Sequence, residues 1–253
     1  MDVDLNDYNR IAHLYDHYVQ VDRDLSFFAE VARDARAVLE LMAGTGRVSV
    51  PLAKATNDLT CVDSSAGMLR GLARKEMRSR PKVVCADVRY LPLPRRFDLV
   101  VIPFNSLAEL VNEDDRRRVI GEVYRVLTPG GRFVCTLHNP TVRAQSLDSE
   151  TRVLGTFPLP GGERLRVTAT GSVDITTWIA CSSQTYVRTG ADDRVVEELT
   201  QDVRFALIGR KDFETMAVAE GFEIVSMYGD YDRSPFDRDR SPFMVWELRR
   251  QDA

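Results

Sequence analysis

The sequence lacks what would take it out of the aqueous globular class. Its longest apolar run, Leu99 to Phe104, falls far short of the roughly 20 residues a transmembrane helix needs. Met1 to Asp7 contains no basic residue and no apolar stretch follows it, which predicts neither a secretory leader nor a lipid anchor, and hence a cytoplasmic protein. Cysteine is sparse: four residues, at positions 61, 85, 135 and 181, lie too far apart for a paired-cysteine metal site and are expected to be reduced. Histidine is sparser, at three; His13 and His17 share a helical face, but no third ligand accompanies them and no metal is expected. No G-x-x-x-x-G-K-[ST] signature, internal repeat or low-complexity linker occurs. Nor is positive charge in excess: 34 Lys+Arg against 38 Asp+Glu leave a net charge of -4, which argues against a general nucleic-acid or anionic-membrane binder.

What is present is an ordinary soluble composition, 44% hydrophobic and 28% charged over 253 residues, enough for one large domain or two small ones. Apolar periodicity predicts helices at Tyr8 to Val19 and Leu25 to Ala35, then a buried strand at Ala37 to Leu41. A helix from Gly46 to Ala55, strand Leu59 to Val62, helix Ser65 to about Arg78 and strand Val83 to Ala86 follow. Phe97 to Ile102 reads as a fourth strand, Glu113 to Leu127 as a helix capped by Asn112, and Arg132 to Leu137 as a fifth strand. Strands alternating with helices of this length imply a parallel sheet covered on both faces, with ligands at the carboxyl ends of the strands. After Asn139 the rhythm changes. Arg164 to Thr170, Thr176 to Arg188 and Val195 to Leu207 alternate polar and apolar residues like antiparallel strands, before a helix from about Lys211 and strands at Phe222 to Tyr228 and Phe243 to Leu248 restore the first pattern.

The strongest local signal is Glu40-Leu41-Met42-Ala43-Gly44-Thr45-Gly46, where glycines let backbone approach a ligand at a strand-to-helix turn. Asp63 ends the second strand, where a doubly wound fold binds a ribose diol, and Asp87 ends the third. Charge selects among nucleotide ligands. A nicotinamide dinucleotide brings a pyrophosphate that Glu40 should repel, and the third glycine of its fingerprint is Ser49 here. S-adenosylmethionine has no phosphate and offers a sulfonium, an ammonium, a ribose diol and an adenine amine to Glu40, Asp63 and Asp87.

The sequence resembles the class I S-adenosylmethionine-dependent methyltransferases. The resemblance is carried by Tyr8, Ile11-Ala12 and Tyr15-Asp16, by Glu40 to Gly46, by Asp63-Ser-Ser-Ala-Gly-Met68-Leu69, by Ala86 to Arg89, by Phe97 to Val100 and by Leu127-Thr-Pro-Gly-Gly131. It implies a Rossmann-like α/β fold: a seven-stranded, mostly parallel sheet with helices on both faces and an antiparallel β insert after strand five. Residues 1–140 and 208–253 would form the cofactor domain, and 141–207 the insert, as a substrate lid or dimerisation element. It further implies that Ala43, Gly44 and Gly46 line the methionine moiety, that Glu40 receives its ammonium directly or through water, and that Asp63 binds the ribose with Ser64 and Met68 flanking the adenosine. Asp87 would accept from the adenine amine under Val88, Phe104, Asn105 and Ser106 would run beneath the transferable methyl, and Tyr15 would cap the cofactor.

Within that family the sequence is most similar to enzymes methylating amines or hydroxyls of sugars, amino acids and secondary metabolites, with S-adenosylhomocysteine as product. Many relatives carry His where Glu109 stands, so the family's histidine base is not kept here; Glu109 is the first candidate for a general base because it follows strand four on the cofactor side of the sheet, with His138 at the end of strand five the second and Tyr15 beside them. Trp178, on the insert, is expected in the core or an interface. A small-molecule substrate, no nucleic acid, no membrane and a possible homodimer through the insert complete the expectations. An RNA or protein methyltransferase, and a cofactor-binding protein without transferase activity, stay open as alternatives.

Overall fold

The computed structural model describes residues 6–93 and 97–251; Met1 to Leu5, on which the expectation about a leader rests, lie outside them. Seven strands form one sheet: β1 (Val38–Leu41), β2 (Leu59–Asp63), β3 (Lys82–Cys85), β4 (Phe97–Ile102), β5 (Leu127–His138), β10 (Phe222–Tyr228) and β11 (Phe243–Arg250). Their spatial order is β10-β11-β5-β4-β1-β2-β3, with β11 antiparallel to both neighbours and β1 to β5 parallel. β1 and β4 lie inside the sheet and are buried on both faces except for half-buried Asp98, which is why they read as mostly apolar runs, interrupted by Glu40 and Asp98, rather than as alternation.

Helices α1 (Ala12–Tyr18), α2 (Leu25–Val31), α3 (Ser49–Ala55), α4 (Ala66–Arg74), α5 (Glu113–Val126), α6 (Pro140–Gln145) and α7 (Arg210–Ala219) complete the fold. One core joins α5 and α7 to a sheet face through Leu39, Ile102, Val123, Phe133, Phe213 and Trp246; the other joins α2, α3 and α4 to the opposite face through Phe28, Leu52, Cys61, Leu72 and Val101. Asn112 caps α5 as expected, accepting from the Asp114 amide at 2.9 Å, with three acids in the first turn.

The antiparallel sheet has four strands, β6 (Thr151–Pro158), β7 (Arg164–Asp174), β8 (Ile179–Thr189) and β9 (Val195–Ala206), in that order. Sequence pattern found three of them. β6 escaped it because Val153 and Leu154 are adjacent, exposed apolar residues that break alternation, at an edge strand with a register shift. Trp178 is neither core nor covered: it sits 46% exposed in the tight turn joining β7 to β8. α1 begins at Ala12 rather than Tyr8, because Asn9 is diverted to α4, where its side-chain oxygen accepts from the Gly67 amide at 2.8 Å and from the Ser65 hydroxyl at 2.9 Å. A third apolar cluster, Ile11, Leu14, Leu165, Val167 and Tyr186, then fastens α1 to β7 and β8. The amino-terminal segment is thereby wedged between α4 and the second sheet.

Candidate active site

A cavity of about 940 Å³ opens at the carboxyl ends of the parallel strands. Its floor comes from the loops after β1 to β4, and its roof from the amino-terminal segment and from β8 and β9. Three non-glycine residues on its wall, Met42, Phe104 and Asn105, hold left-handed backbone with φ of 57°, 58° and 63°. Such conformations cost on the order of 1–3 kcal/mol each and persist where surrounding packing imposes them, typically at functional sites. Asn105 shows what imposes one: its side-chain oxygen accepts from the His138 amide at 2.9 Å, tying the end of β4 to the end of β5. Phe104 receives the Arg47 guanidinium at 4.5 Å from its ring centre, and Arg47 is in turn clamped by buried Asp24 at 2.5 and 2.7 Å.

On the same wall, Gly44 has φ of +57° and a Cβ built there would meet nothing, so this turn leaves its inner side open to a ligand. Its amide donates to Asp63 at 2.8 Å, and the Ser65 amide donates to the second Asp63 oxygen at 2.8 Å. Burial raises the Asp63 carboxyl above its ordinary range while these amides oppose the shift. Each oxygen keeps acceptor capacity for a hydroxyl. Asp87 is held below its usual range chiefly by Arg89, which also reaches Asp115 at 2.9 Å.

Of the residues expected at the cofactor, Tyr15, Gly44, Asp63, Ser64, Met68, Asp87, Val88, Phe104 and Asn105 lie on the cavity wall; Glu40, Ala43 and Gly46 do not. Glu40 is 1% exposed, accepts from the Ser49 hydroxyl at 2.5 Å and from the Cys61 thiol, and burial pushes its carboxyl up to about 7. Glu40 therefore stands behind the cavity wall rather than on it. Ala43 is buried against the α3 side of the sheet, and a Cβ at Gly46 would strike Leu72 at 2.8 Å, so that glycine serves packing.

The candidate bases also line the cavity. Glu109, in a 3₁₀ turn (Ser106–Glu109), accepts from the Tyr8 hydroxyl at 3.1 Å. Tyr8, Tyr15 and Tyr18 follow one another edge to face, and Tyr18 meets Tyr186 of β8 at 3.0 Å between hydroxyls. Burial raises the Tyr15 hydroxyl far above its ordinary value, so it stays protonated. His138 stacks on Phe243 and is pushed down to about 4, first by burial and then by the nearby Arg143 charge. His13 pairs with Glu197 of β9 rather than with His17, and no metal-binding cluster exists among the described residues. Tyr18, Arg143, Gln184 and Phe205 are wall residues that sequence reasoning missed, since they reach the cavity only through packing of distant segments.

The donor set suits S-adenosylmethionine: a half-buried carboxylate for the diol, Val88 and Met68 for the adenine faces, and an open glycine turn for the amino-acid tail. A volume near the top of the roughly 300–1,000 Å³ range of ligand sites leaves space for an acceptor beside it.

This strand order and loop set are those of the class I S-adenosylmethionine-dependent methyltransferase fold. Within it, residues 38–131 match the family described as a methyltransferase domain. The demethylmenaquinone methyltransferase of Streptomyces avermitilis is 38% identical over 112 residues, 44% of this chain and 46% of that protein. The glycine/sarcosine N-methyltransferase of Halorhodospira halochloris is 35% identical over 42% of this chain and 41% of that protein. The chain thus spans under half the length of these curated relatives. Likeness to the CcbJ methyltransferase of Streptomyces caelestis runs over 99% of this chain and all of that one, at 25% identity and a TM-score of 0.79. Among the described residues no helix is long and apolar enough to cross a membrane.

Proposed function

We propose that the protein transfers a methyl group from S-adenosylmethionine to an amine or hydroxyl of a small organic molecule. The observation that carries this is one cavity whose wall brings Asp63 and Gly44 together with Glu109, Tyr8 and His138. The roof favours a small acceptor over a polymer, which would need an open groove, and the relatives named for glycine and sarcosine support an amine.

When bound, S-adenosylmethionine supplies a methyl already activated by its sulfonium leaving group. The chain's part is therefore to position and to exclude water. Asp63 would hold the ribose, the hydrogen bond from the His138 amide to Asn105 fixes the wall between the ends of β4 and β5, and the tyrosines of the amino-terminal segment would limit access of solvent. Glu109 takes the proton that the nucleophile sheds; its bond from Tyr8 orients it toward the cavity. His138 at about 4 is neutral at physiological pH but holds a proton weakly, so it ranks behind Glu109. Tyr15, held protonated, serves as a cap and hydrogen-bond donor rather than a base.

Calorimetric titration with S-adenosylhomocysteine tests the core of this reading, and absence of binding overturns it. For the base, kcat is measured against pH for Glu109→Gln and His138→Ala. Loss of roughly 100-fold or more in the first, with a smaller loss in the second, is expected. Unchanged rates and profiles in both would mean that positioning alone suffices.

A further inference from the structure

The cavity wall carries several charges, and all but a few are accounted for within the protein. Arg89 is neutralised by Asp87 and Asp115 at 2.7 and 2.9 Å. Arg143 is different. It stands on α6, whose start is fixed by Asn139: the Asn139 oxygen accepts from the Thr141 amide at 3.2 Å, and its amide group donates to the Arg238 and Ser241 carbonyls, both at 2.8 Å. The Arg143 guanidinium is carried over the Phe205 ring, 5.5 Å from its centre, and Nη1 donates to the Ser146 hydroxyl at 3.2 Å. No carboxylate pairs with it among the described residues, and its Nε is buried without an acceptor.

Of the other guanidinium groups with a buried, unpartnered Nε, Arg204 also lies on the cavity wall and pairs with no carboxylate among the described residues, whereas the remaining three satisfy their charge elsewhere. Arg116 donates to the Leu110 and Val111 carbonyls, Arg250 to those of Tyr124 and Leu127, and Arg188 pairs with Glu163 and Glu197. Arg143 keeps only a hydroxyl, on a cavity wall it shares with His138. A guanidinium on a cavity wall can meet a planar or tetrahedral oxyanion with parallel hydrogen bonds.

We propose that Arg143 binds an anionic oxygen group, carboxylate or phosphate, on the methyl acceptor, so that the substrate is an anion-bearing amine or hydroxyl compound. This deepens the methyltransferase reading and rests on it. Charge balance points the same way. A sulfonium cofactor and an unpaired guanidinium both repel a cationic acceptor, whereas an oxyanion at Arg143 is attracted to both and anchors the molecule beside the floor formed by Asn105 and His138. Phe205 beneath the guanidinium offers an apolar face for the carbon skeleton of the acceptor.

Three histidines make a simple proton spectrum, and the His138 ring, which feels the Arg143 charge, reports on the site. The full chain is saturated with S-adenosylhomocysteine and titrated separately with acetate and with inorganic phosphate. The expected result is a saturable His138 shift and a rise in the His138 pKa on binding, because the anion cancels the positive charge that holds it down. Tighter acetate binding assigns a carboxylate on the acceptor, and tighter phosphate binding a phosphate. In Arg143→Gln the affinity should fall at least tenfold, and Arg143→Lys, which keeps charge but loses the fork, should lie between. No saturable shift in the wild-type chain, or equal affinity in Arg143→Gln, overturns the proposal. Failure of S-adenosylhomocysteine itself to bind would instead overturn the methyltransferase reading, so the two failures are told apart.

Discussion

Buried Glu40 and half-buried His138 are shifted in opposite directions, so their pH linkages should offset each other in the intact protein. Glu40 is raised from 4.5 to about 7, worth about 3 kcal/mol of preference for the protonated form in the folded state. Its stabilising contribution is full below pH 4.5 and is lost as pH rises through 7. His138 is lowered from 6.5 to about 4, a similar magnitude of opposite sign: its contribution is full above pH 6.5 and is lost as pH falls through 4. Between these limits the two slopes offset, so wild-type stability should vary little on their account. Glu40→Gln removes one slope. Its amide oxygen can still accept from Ser49, so the site keeps its shape. Relative to wild type, the variant should gain about 2.5 kcal/mol on moving from pH 5 to pH 8. For a chain of this length that is roughly 5–10 °C in Tm. Thermal unfolding of both proteins at the two pH values gives this as a double difference, in which every group common to both cancels. A Tm difference that is the same at pH 5 and pH 8 would refute the reasoning: it would mean that Glu40 titrates normally and is therefore not sealed behind the cavity wall.

Asp63→Asn should weaken S-adenosylhomocysteine binding by about 100-fold or more in calorimetry, since hydrogen bonds to a charged carboxylate are worth about 1.5–3 kcal/mol each and an amide cannot accept on both sides. Asn105→Gly should cost about 1–3 kcal/mol in urea unfolding by orphaning the His138 amide, and Asn105→Ala about 1 kcal/mol more, because alanine also pays for left-handed backbone; equal values would mean that the backbone there is unstrained. Arg47→Met should cost about 3–5 kcal/mol, as it strands Asp24 as a buried, unpaired charge, and a loss under 1 kcal/mol would contradict that burial.

The α/β half of the fold was legible because its signals are local. Runs such as Leu99 to Ile102 are buried and apolar, Asn112 with three following acids marks a helix start, and Gly44 at φ of +57° is a requirement of one turn. The acids at successive strand ends follow from that periodicity, and Asp63 and Asp87 duly lie on the cavity wall. Glu40 shares the motif but not the exposure, and only the packing of Ser49 and Cys61 against it decides this. The roof was out of reach for the same reason. Tyr8 meets Glu109 across 101 positions, Tyr18 meets Tyr186 across 168, and Arg143 meets Phe205 only when α6 and β9 close on one another. Sequence by itself determined the strands and helices of the α/β half and the chemistry of its strand-end loops, since periodicity and turn geometry act within a few residues. Tertiary structure alone decided which side chains face the cavity, which carboxyl is sealed from it and which guanidinium is left unpaired, because burial and charge pairing are set by neighbours that only folding brings together.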